Sequence, residues 1–295
     1  MDRLVAMRQF VTVVDAGSFS AASKLLNIGQ PAVSKAVAAL EDYLGVRLLI
    51  RTTRHHSLTD AGQRFYERAR IALDEADAAE AAAKDEDSAL TGRLRIAAPP
   101  VYASQQIIPR LDAFLASHPD LFVDLVLDDR RIDLIEEGID LGLRAGELED
   151  SGMVAKRVDV ARRMVVASPG YIEKHGEPKT PGELVQHRVI TYTRFEGAAA
   201  WQFKQGSSSV SVTVDGPLRV SSAEGLRAAL FAGFGLGMVS DRMIEREIAS
   251  GEVVPVLSGW KLPTIDFWAV FPAGRRPTAR ARLFADWLAE EMKRG

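Results

Sequence analysis

Apolar residues recur with helical spacing in three short blocks near the start of the chain, and each block ends at a break. Leu4, Met7, Phe10, Val11 and Val14 share one helical face. Ala16-Gly17-Ser18 interrupts that face, and Ser18 or Ser20 is placed to cap a second helix by accepting from its free N–H groups. The second helix presents Phe19, Ala22, Leu25 and Leu26 for burial. Asn27-Ile28-Gly29 forms a turn, since Asn and Gly tolerate positive φ. Pro31 then stands in the first turn of a third helix, where its missing N–H costs nothing. Val33, Val37, Leu40 and Leu44 line one side of that helix, while Gln30, Pro31, Ser34, Lys35 and Ala38 lie on or near the other.

The pattern then changes period. Gly45 stops the third helix, and Val46, Leu48 and Ile50 alternate as a short strand. A polar, basic tip follows (Arg51 to His56), and Ser57-Leu58-Thr59 returns. Two helices about a tight turn with a basic hairpin behind them form a winged helix-turn-helix. Small residues at the start of the third helix let it approach base edges; Gln pairs bidentately with adenine, and Lys reaches guanine or phosphate. Hydroxyls and helix N-termini bind phosphate. Arg51 and Arg54 suit phosphate or minor-groove contact. The candidate DNA-contacting residues are Ser20, Gln30, Pro31, Ser34, Lys35, Arg51, Thr52 and Arg54. Read without its wing, the same segment has the rival reading of an ordinary three-helix bundle with a polar face.

From Thr59 to about Asp87 only Gly62, in the first turn, disfavours helix. Thr59 is a good cap, and Asp60 complements the positive helix end. Phe65, Ala69, Ala72, Leu73, Ala76, Ala79 and Ala83 make a stripe along a helix of about 40 Å. A stripe this poor in large side chains fits either a stiff spacer or a homodimer seam that holds two DNA-reading heads one helical turn of DNA apart.

Beyond Gly92, strands alternate with helices, which predicts a parallel sheet covered on its faces. Residues 93–98 read as a strand, Ile107 to Leu115 as a helix and Val123 to Leu127 as a strand. Arg130 to Glu137 reads as a second helix and Leu141 to Arg144 as a third strand. Met164 to Ala167, Val189 to Thr193, a helix from Ala223 to Phe231 and Gly235 to Val239 continue the pattern. A hairpin pairs Trp201–Phe203 with Val210–Val214 across Gln205-Gly206. A late strand at 266–271 and an amphipathic helix from Arg280 to Lys293, carrying Leu283, Phe284, Trp287 and Leu288, complete it.

The organisation expected is a head at 1–58, a linker helix at 59–91 and an α/β domain at 92–295. That last domain reads as two lobes, 92–162 with 266–295 and 163–265. Ligands of open α/β sheets bind beyond the carboxyl ends of strands, which in a two-lobed domain face one another across a cleft. The strand-end segments are Pro100 to Ser104, Asp128 to Arg130, Arg144 to Gly146, Thr191 to Arg194, Ser221 to Glu224 and Ser240. Within them the candidate effector residues are Pro100, Val101, Ser104, Asp128, Arg130, Arg144, Gly146, Thr191, Thr193, Ser221, Ser222 and Ser240, with Arg194 nearby. Because Arg pairs bidentately with carboxylates, a small organic anion is the expected ligand.

Composition narrows the classes. A chain of 295 residues with 47% hydrophobic and 26% charged residues fits a globular protein of two or three domains. No apolar run approaches a membrane span, and Met1-Asp2-Arg3-Leu4 has no signal-peptide pattern. With no cysteine, disulfides and thiolate metal sites are excluded, and a cytoplasmic location is expected. The net charge of −3 argues against a protein that coats nucleic acid. Residues 1–60 nevertheless carry an excess of Lys and Arg, and 61–90 an excess of Asp and Glu. A mildly basic head on an acidic body suits specific DNA binding over non-specific attraction.

F-S-A-A-S-K-L-L, Q-P-A-V-S-K, L-E-D-Y-L-G-V-R-L-L and R-T-T-R-x-x-S-L-T-D-A-G, in that order, resemble the N-terminal signature of LysR-type transcriptional regulators. D-L-I-E-E-G-I-D-L-G-L-R-A-G-E-L and A-L-F-A-G-F-G-L-G-M resemble stretches of that family's effector domain. The resemblance implies a winged helix-turn-helix, a long linker helix and a two-lobed effector-binding domain of periplasmic-binding-protein type. It places Gln30, Pro31, Ser34 and Lys35 at the start of the recognition helix and Arg51, Thr52 and Arg54 in the wing. It implies as partners a double-stranded DNA operator, a small-molecule effector and a second copy of the chain, often as a pair of dimers, with RNA polymerase a further candidate. One departure is Gly29, which stands where the family usually has a serine before Gln-Pro and weakens the helix cap.

Gly233-Phe-Gly-Leu-Gly237 resembles a dinucleotide loop, but its spacing is wrong and it follows a helix rather than a strand. His55-His56 has no further Cys or His nearby to complete a metal site. His118, His175 and His187 have no nucleophile partner, and no G-x-S-x-G elbow is present. No catalytic residue, metal or cofactor is therefore expected. A solute-binding protein or an enzyme with an accessory DNA-binding domain are the rival readings.

Overall fold

The computed structural model describes residues 1–51, 56–83, 90–148, 153–192, 200–274 and 277–294. They form two compact units, Met1–Ser88 and Ala89–Gly295.

The first unit opens with α1 (Arg3–Asp15), α2 (Phe19–Leu25) and α3 (Gln30–Leu44). Asp2 caps α1 by accepting from Val5 N, and Ser18, not Ser20, caps α2 by accepting from Ala21 N. Asn27 takes a left-handed φ of 52° at the turn. Gly29 does not: its φ is −64°, and as the N-cap of α3 it supplies no side-chain acceptor. Gly45 ends α3 with a φ of 69°. The core gathers Ala6, Phe10 and Val13 from α1, Phe19 and Ala22 from α2, and Val33, Val37 and Leu40 from α3. Two apolar positions expected inside are on the surface. Leu4 is exposed, and Leu25 is 73% exposed, because α2 is only two turns long and turns Phe19 and Ala22 inward.

The wing strands are β1 (Leu49–Arg51) and β2 (His56–Leu58), antiparallel with Leu49 opposite Leu58. The expected alternation shifts here: Leu48 and Leu49 are both buried, while Val46 and Ile50 face solvent. α4 (Asp60–Ala83) follows directly. Thr59 caps it, its Oγ1 accepting from Gly62 N at 2.8 Å. A Cβ on Gly62 would stand 2.0 Å from Leu48 O, so only glycine lets this helix begin against the strand. Phe65 meets Phe10 with ring centroids 5.6 Å apart, and Ala69 and Leu73 are buried; Ala72 and Ala79 are exposed.

The second unit begins with β3 (Gly92–Ala98). One continuous helical path follows: α5 (Pro100–Tyr102), a π turn (Ala103–Ile107) and α6 (Ile108–Ala116). β4 (Leu121–Leu127), β5 (Leu141–Ala145) and β6 (Ala155–Ala161) come next. The helix expected over 130–137 is absent. Asp133 closes one tight turn instead, its Oδ1 accepting from Ile135 N and Glu136 N. An Asp that satisfies its own neighbours' amides competes with helix propagation.

After β6 the chain passes through Arg162 into β7 (Arg163–Ala167), α7 (Pro169–His175), a 3-10 turn (Pro181–Gln186) and β8 (Ile190–Tyr192). β9 (Ala200–Gln205) and β10 (Ser208–Thr213) form the expected hairpin. β11 (Leu218–Val220), α8 (Ala223–Phe231), β12 (Gly237–Ser240), α9 (Asp241–Ser250) and β13 (Val254–Val256) follow. The chain then returns with β14 (Ile265–Val270) and α10 (Ala279–Arg294).

The first sheet runs β4-β3-β5-β14-β6. β3, β4 and β5 are parallel, but β14 is antiparallel to both β5 and β6. Leu94, Ile96, Phe114, Leu141, Phe267, Phe284 and Leu288 fill its core. Leu283 stays exposed because α10 turns Ala281, Phe284, Ala285 and Leu288 inward. In the second sheet β7 is antiparallel to both β12 and β13. β8 and β11 are parallel, and Val189 bridges Leu236 in parallel. The all-parallel expectation therefore fails at β14 and β7. β7 is the strand by which the chain enters the second sheet, and β14 the strand by which it returns to the first.

Candidate functional site

In the first unit, the start of α3 presents Gln30, Pro31 and Lys35 fully to solvent and Ser34 partly. Among the described residues, the side chains of Gln30, Ser34 and Lys35 make no hydrogen bond or ion pair. Ser20 is exposed on α2, and its carbonyl accepts from Ser23 Oγ. Thr52, Arg54 and the side chain of Arg51 lie outside the described residues.

One residue decides where the wing stands relative to α3. Glu41, 3% exposed, sits on the apolar side of α3 between Leu40 and Leu44. Its Oε1 accepts from Leu48 N at 2.8 Å and Leu49 N at 3.1 Å, and its Oε2 accepts from Arg47 at 2.8 Å. The one available sequence signal was a carboxylate on an otherwise apolar stripe.

In the second unit, a cavity of about 110 Å³ opens between the two sheets. Its wall is largely apolar and aromatic, with Tyr102, Tyr192, Trp201 and Phe267 among the lining residues. Tyr102 stacks on Phe267 at 4.0 Å and donates to Asp159 Oδ2 at 3.2 Å. Burial, with the Asp159 charge beside it, holds the Tyr102 hydroxyl well above its ordinary pKa, so it stays a neutral donor. The polar lining includes Asp129, Arg163, Thr191 and Ser240. Burial pushes the Arg163 pKa down, and Glu147 opposes that shift.

Of the residues expected at this site, Val101, Thr191 and Ser240 line the cavity. Asp128, Arg130 and Arg144 line a separate, smaller recess instead. Arg130 is 87% exposed and is spent on Asp128 at 2.9 Å. The strand-end rule pointed to these loops. It could not resolve that residue 129 turns toward the second sheet while its neighbours turn away.

Pro100, Ser104, Gly146, Ser221 and Ser222 line neither space. Ser104 Oγ donates to Val101 O, Gly146 O accepts from Trp268 Nε1, and Ser222 caps α8 by accepting from Gly225 N. Thr193 and Arg194 lie outside the described residues. Tyr102 and Asp129 lie in the expected strand-end segments without having been singled out, and Arg163, Trp201 and Phe267 lie outside those segments. Each reaches the cavity only through pairings distant in sequence.

The walls are tied together at one side by Arg242 in α9. It binds Asp159 of β6 at 3.0 and 3.1 Å and donates to Met292 O, while its own carbonyl accepts from Gln106 Nε2. Among the described residues, no cluster of three or more His, Cys, Asp or Glu is arranged for a metal ion, and no helix is long and apolar enough to cross a membrane.

Comparison with known proteins agrees with this layout. Residues 4–63 match the family of bacterial regulatory helix-turn-helix proteins of lysR type, and residues 87–293 match the LysR substrate binding domain. An HTH-type transcriptional regulator of Xanthomonas campestris pv. campestris is 37% identical across 96% of this chain and 83% of its own length. The HTH-type transcriptional regulator CrgA of Neisseria meningitidis serogroup C is 35% identical across 96% of this chain and 95% of its own. The solved structure of CrgA, a LysR-type transcriptional regulator from Neisseria meningitidis, superposes with a TM-score of 0.63 at 34% identity, covering 97% of this chain and 98% of that one. Full-length AphB, a virulence activator of Vibrio cholerae, superposes with a TM-score of 0.58 at 28% identity. A helix-turn-helix head with a wing, joined in one chain to a two-sheet substrate-binding domain, is a regulator's architecture and not an enzyme's, and this chain belongs to the LysR family of helix-turn-helix transcriptional regulators.

Proposed function

We propose that Gln30, Pro31, Ser34 and Lys35 enter the major groove of an operator, with Ser20 on the adjacent phosphates and Arg51, Thr52 and Arg54 carried by the wing. The observation that carries this is the start of α3, whose polar residues are exposed and unspent on internal hydrogen bonds. In this reading residues 1–58 act as the head and 59–91 as the seam of a homodimer, which pairs into a tetramer. The two-lobed body spans 92–295. Lobe 92–162 with 266–295 and lobe 163–265 enclose the effector cavity. The exposed Ala72 and Ala79 of α4 leave room for a second copy of the helix to approach closely. An effector in the cavity shifts operator binding only if it has different affinities for two arrangements of the lobes. The protein acts in the cytoplasm, and RNA polymerase is its further partner at the promoter.

The test is fluorescence anisotropy on DNA from upstream of the protein's own gene, with unrelated DNA as competitor. Gln30→Ala and Ser34→Ala should each weaken specific binding by about tenfold, the worth of a good base contact, with oligomer mass unchanged. Wild-type affinity in both variants would remove α3 as the reading helix.

A further inference from the structure

Two buried polar atoms on the cavity wall have no hydrogen-bond partner: Oδ1 of Asp129 and Oγ of Ser240. They come from opposite walls. Asp129 follows β4 of the first sheet, and Ser240, 5% exposed, ends β12 of the second. Ser240 is also the N-cap of α9, yet its hydroxyl makes no capping bond. A buried acceptor left unsatisfied is costly, so such a pair is a standing demand for a ligand's polar group.

The chemistry of that group follows from the other carboxylate oxygen. Asp129 Oδ2 accepts from Ala223 N at 3.0 Å, at the start of α8. The helix end that would attract an anionic ligand is therefore already held by the protein's own carboxylate. A carboxylate ligand would meet Asp129 as a like charge in a water-poor space. Arg163 lines the same wall; burial lowers its pKa, and Glu147 supplies a countercharge that opposes the shift. Apart from Thr191, whose hydroxyl donates to Leu218 O, the remaining wall is mainly aromatic and aliphatic. An engineered apolar cavity of about 150 Å³ takes up benzene, so the space here suits a single ring.

We propose that the effector is a small ring-bearing molecule whose polar group is a hydrogen-bond donor, neutral or cationic, as in a phenol or an aryl-substituted amine. The donor sits between Asp129 Oδ1 and Ser240 Oγ and bridges the two walls, while small carboxylates are rejected. This rests on reading the cavity as the effector site. It replaces the organic anion expected from the loop arginines, since Arg130 and Arg144 line the other recess.

Calorimetric titration of the full-length protein with phenol, benzylamine, benzoate and toluene tests it. Phenol and benzylamine should bind at least about tenfold more tightly than toluene or benzoate, the scale of one hydrogen bond to a charged group. Ser240→Ala should weaken phenol binding about tenfold. Asp129→Asn keeps an acceptor for Ala223 and offers an amide N–H to the cavity, so it should narrow or invert the preference for phenol over benzoate. Benzoate binding as tightly as phenol to the wild type overturns the proposal, as does no binding by any probe, or a preference unchanged in both variants. Ala145→Phe, which fills the cavity, separates the two levels of failure. If it abolishes binding in a protein that favours benzoate, the cavity reading stands and the donor class falls. If phenol binds it as it binds wild type, the cavity is not the site and both fall. The wild-type ranking needs no variant to fold.

Discussion

Replacing Glu41 by alanine should loosen the wing without disturbing the C-terminal unit. The substitution removes the acceptor of two buried amides, Leu48 N and Leu49 N. Each buried donor left without an acceptor costs about 1–3 kcal/mol. The Arg47 pair adds little, because Arg47 is 71% exposed and its charge is screened. The expected loss is about 3 kcal/mol, or about 100-fold in the local opening equilibrium.

The assay must see the head alone. All four tryptophans lie in the C-terminal unit, at 201, 260, 268 and 287, so their emission is blind to this change. Hydrogen exchange over residues 40–50, read by mass spectrometry, reports the amides concerned. Exchange there should accelerate about 100-fold while the tryptophan-monitored urea transition stays in place. An acceleration under about threefold would refute the reasoning, since it would mean that the carboxylate does not hold the strand.

The same residue makes a pH prediction. Burial raises the Glu41 pKa, but the hydrogen bonds from Arg47, Leu49 and Leu48 outweigh it and hold the carboxyl below its ordinary 4.5. With the folded pKa below the unfolded one, this contribution is fully present above about pH 4.5 and is lost as pH falls through the folded value.

Other substitutions probe other joints. Arg242→Ala leaves the buried Asp159 carboxylate, among the described residues, with Tyr102 and Val160 N, and should cost about 3–5 kcal/mol in tryptophan-monitored urea unfolding. A loss under about 1 kcal/mol would show that the pair does not tie the walls together. Gly62→Ala forces a Cβ against Leu48 O and should destabilise the head by about 1–3 kcal/mol, read as faster exchange at residues 45–65; unchanged protection there would contradict the packing described. Lys35→Ala should reduce the slope of log affinity against log salt by about 1 on every DNA sequence tested, with specificity retained. A steeper loss on the operator than on random DNA would make Lys35 a base reader instead.

The head was legible because its information is local. Gly45, Thr59 and Pro31 mark helix ends through backbone geometry that acts within a turn, and helical periodicity marked most of the buried face of three short helices. The same reasoning failed at Leu25, where a two-turn helix has too narrow a buried side, and at residues 130–137, where Asp133 satisfies amides that a helix would have used. In the body, periodicity located most strands but not their direction, because strand sense is set by pairing between distant segments that the crossing between sheets brings together. The cavity depends on that crossing most of all. Asp129, Arg163, Trp201, Ser240 and Phe267 come from five separated stretches. The sequence determined the alternation of strands and helices, and with it the strand-end loops where a ligand is expected. Only the tertiary structure decided which side chains turn inward, because adjacent loop residues point opposite ways and the pairing of distant strands chooses between them.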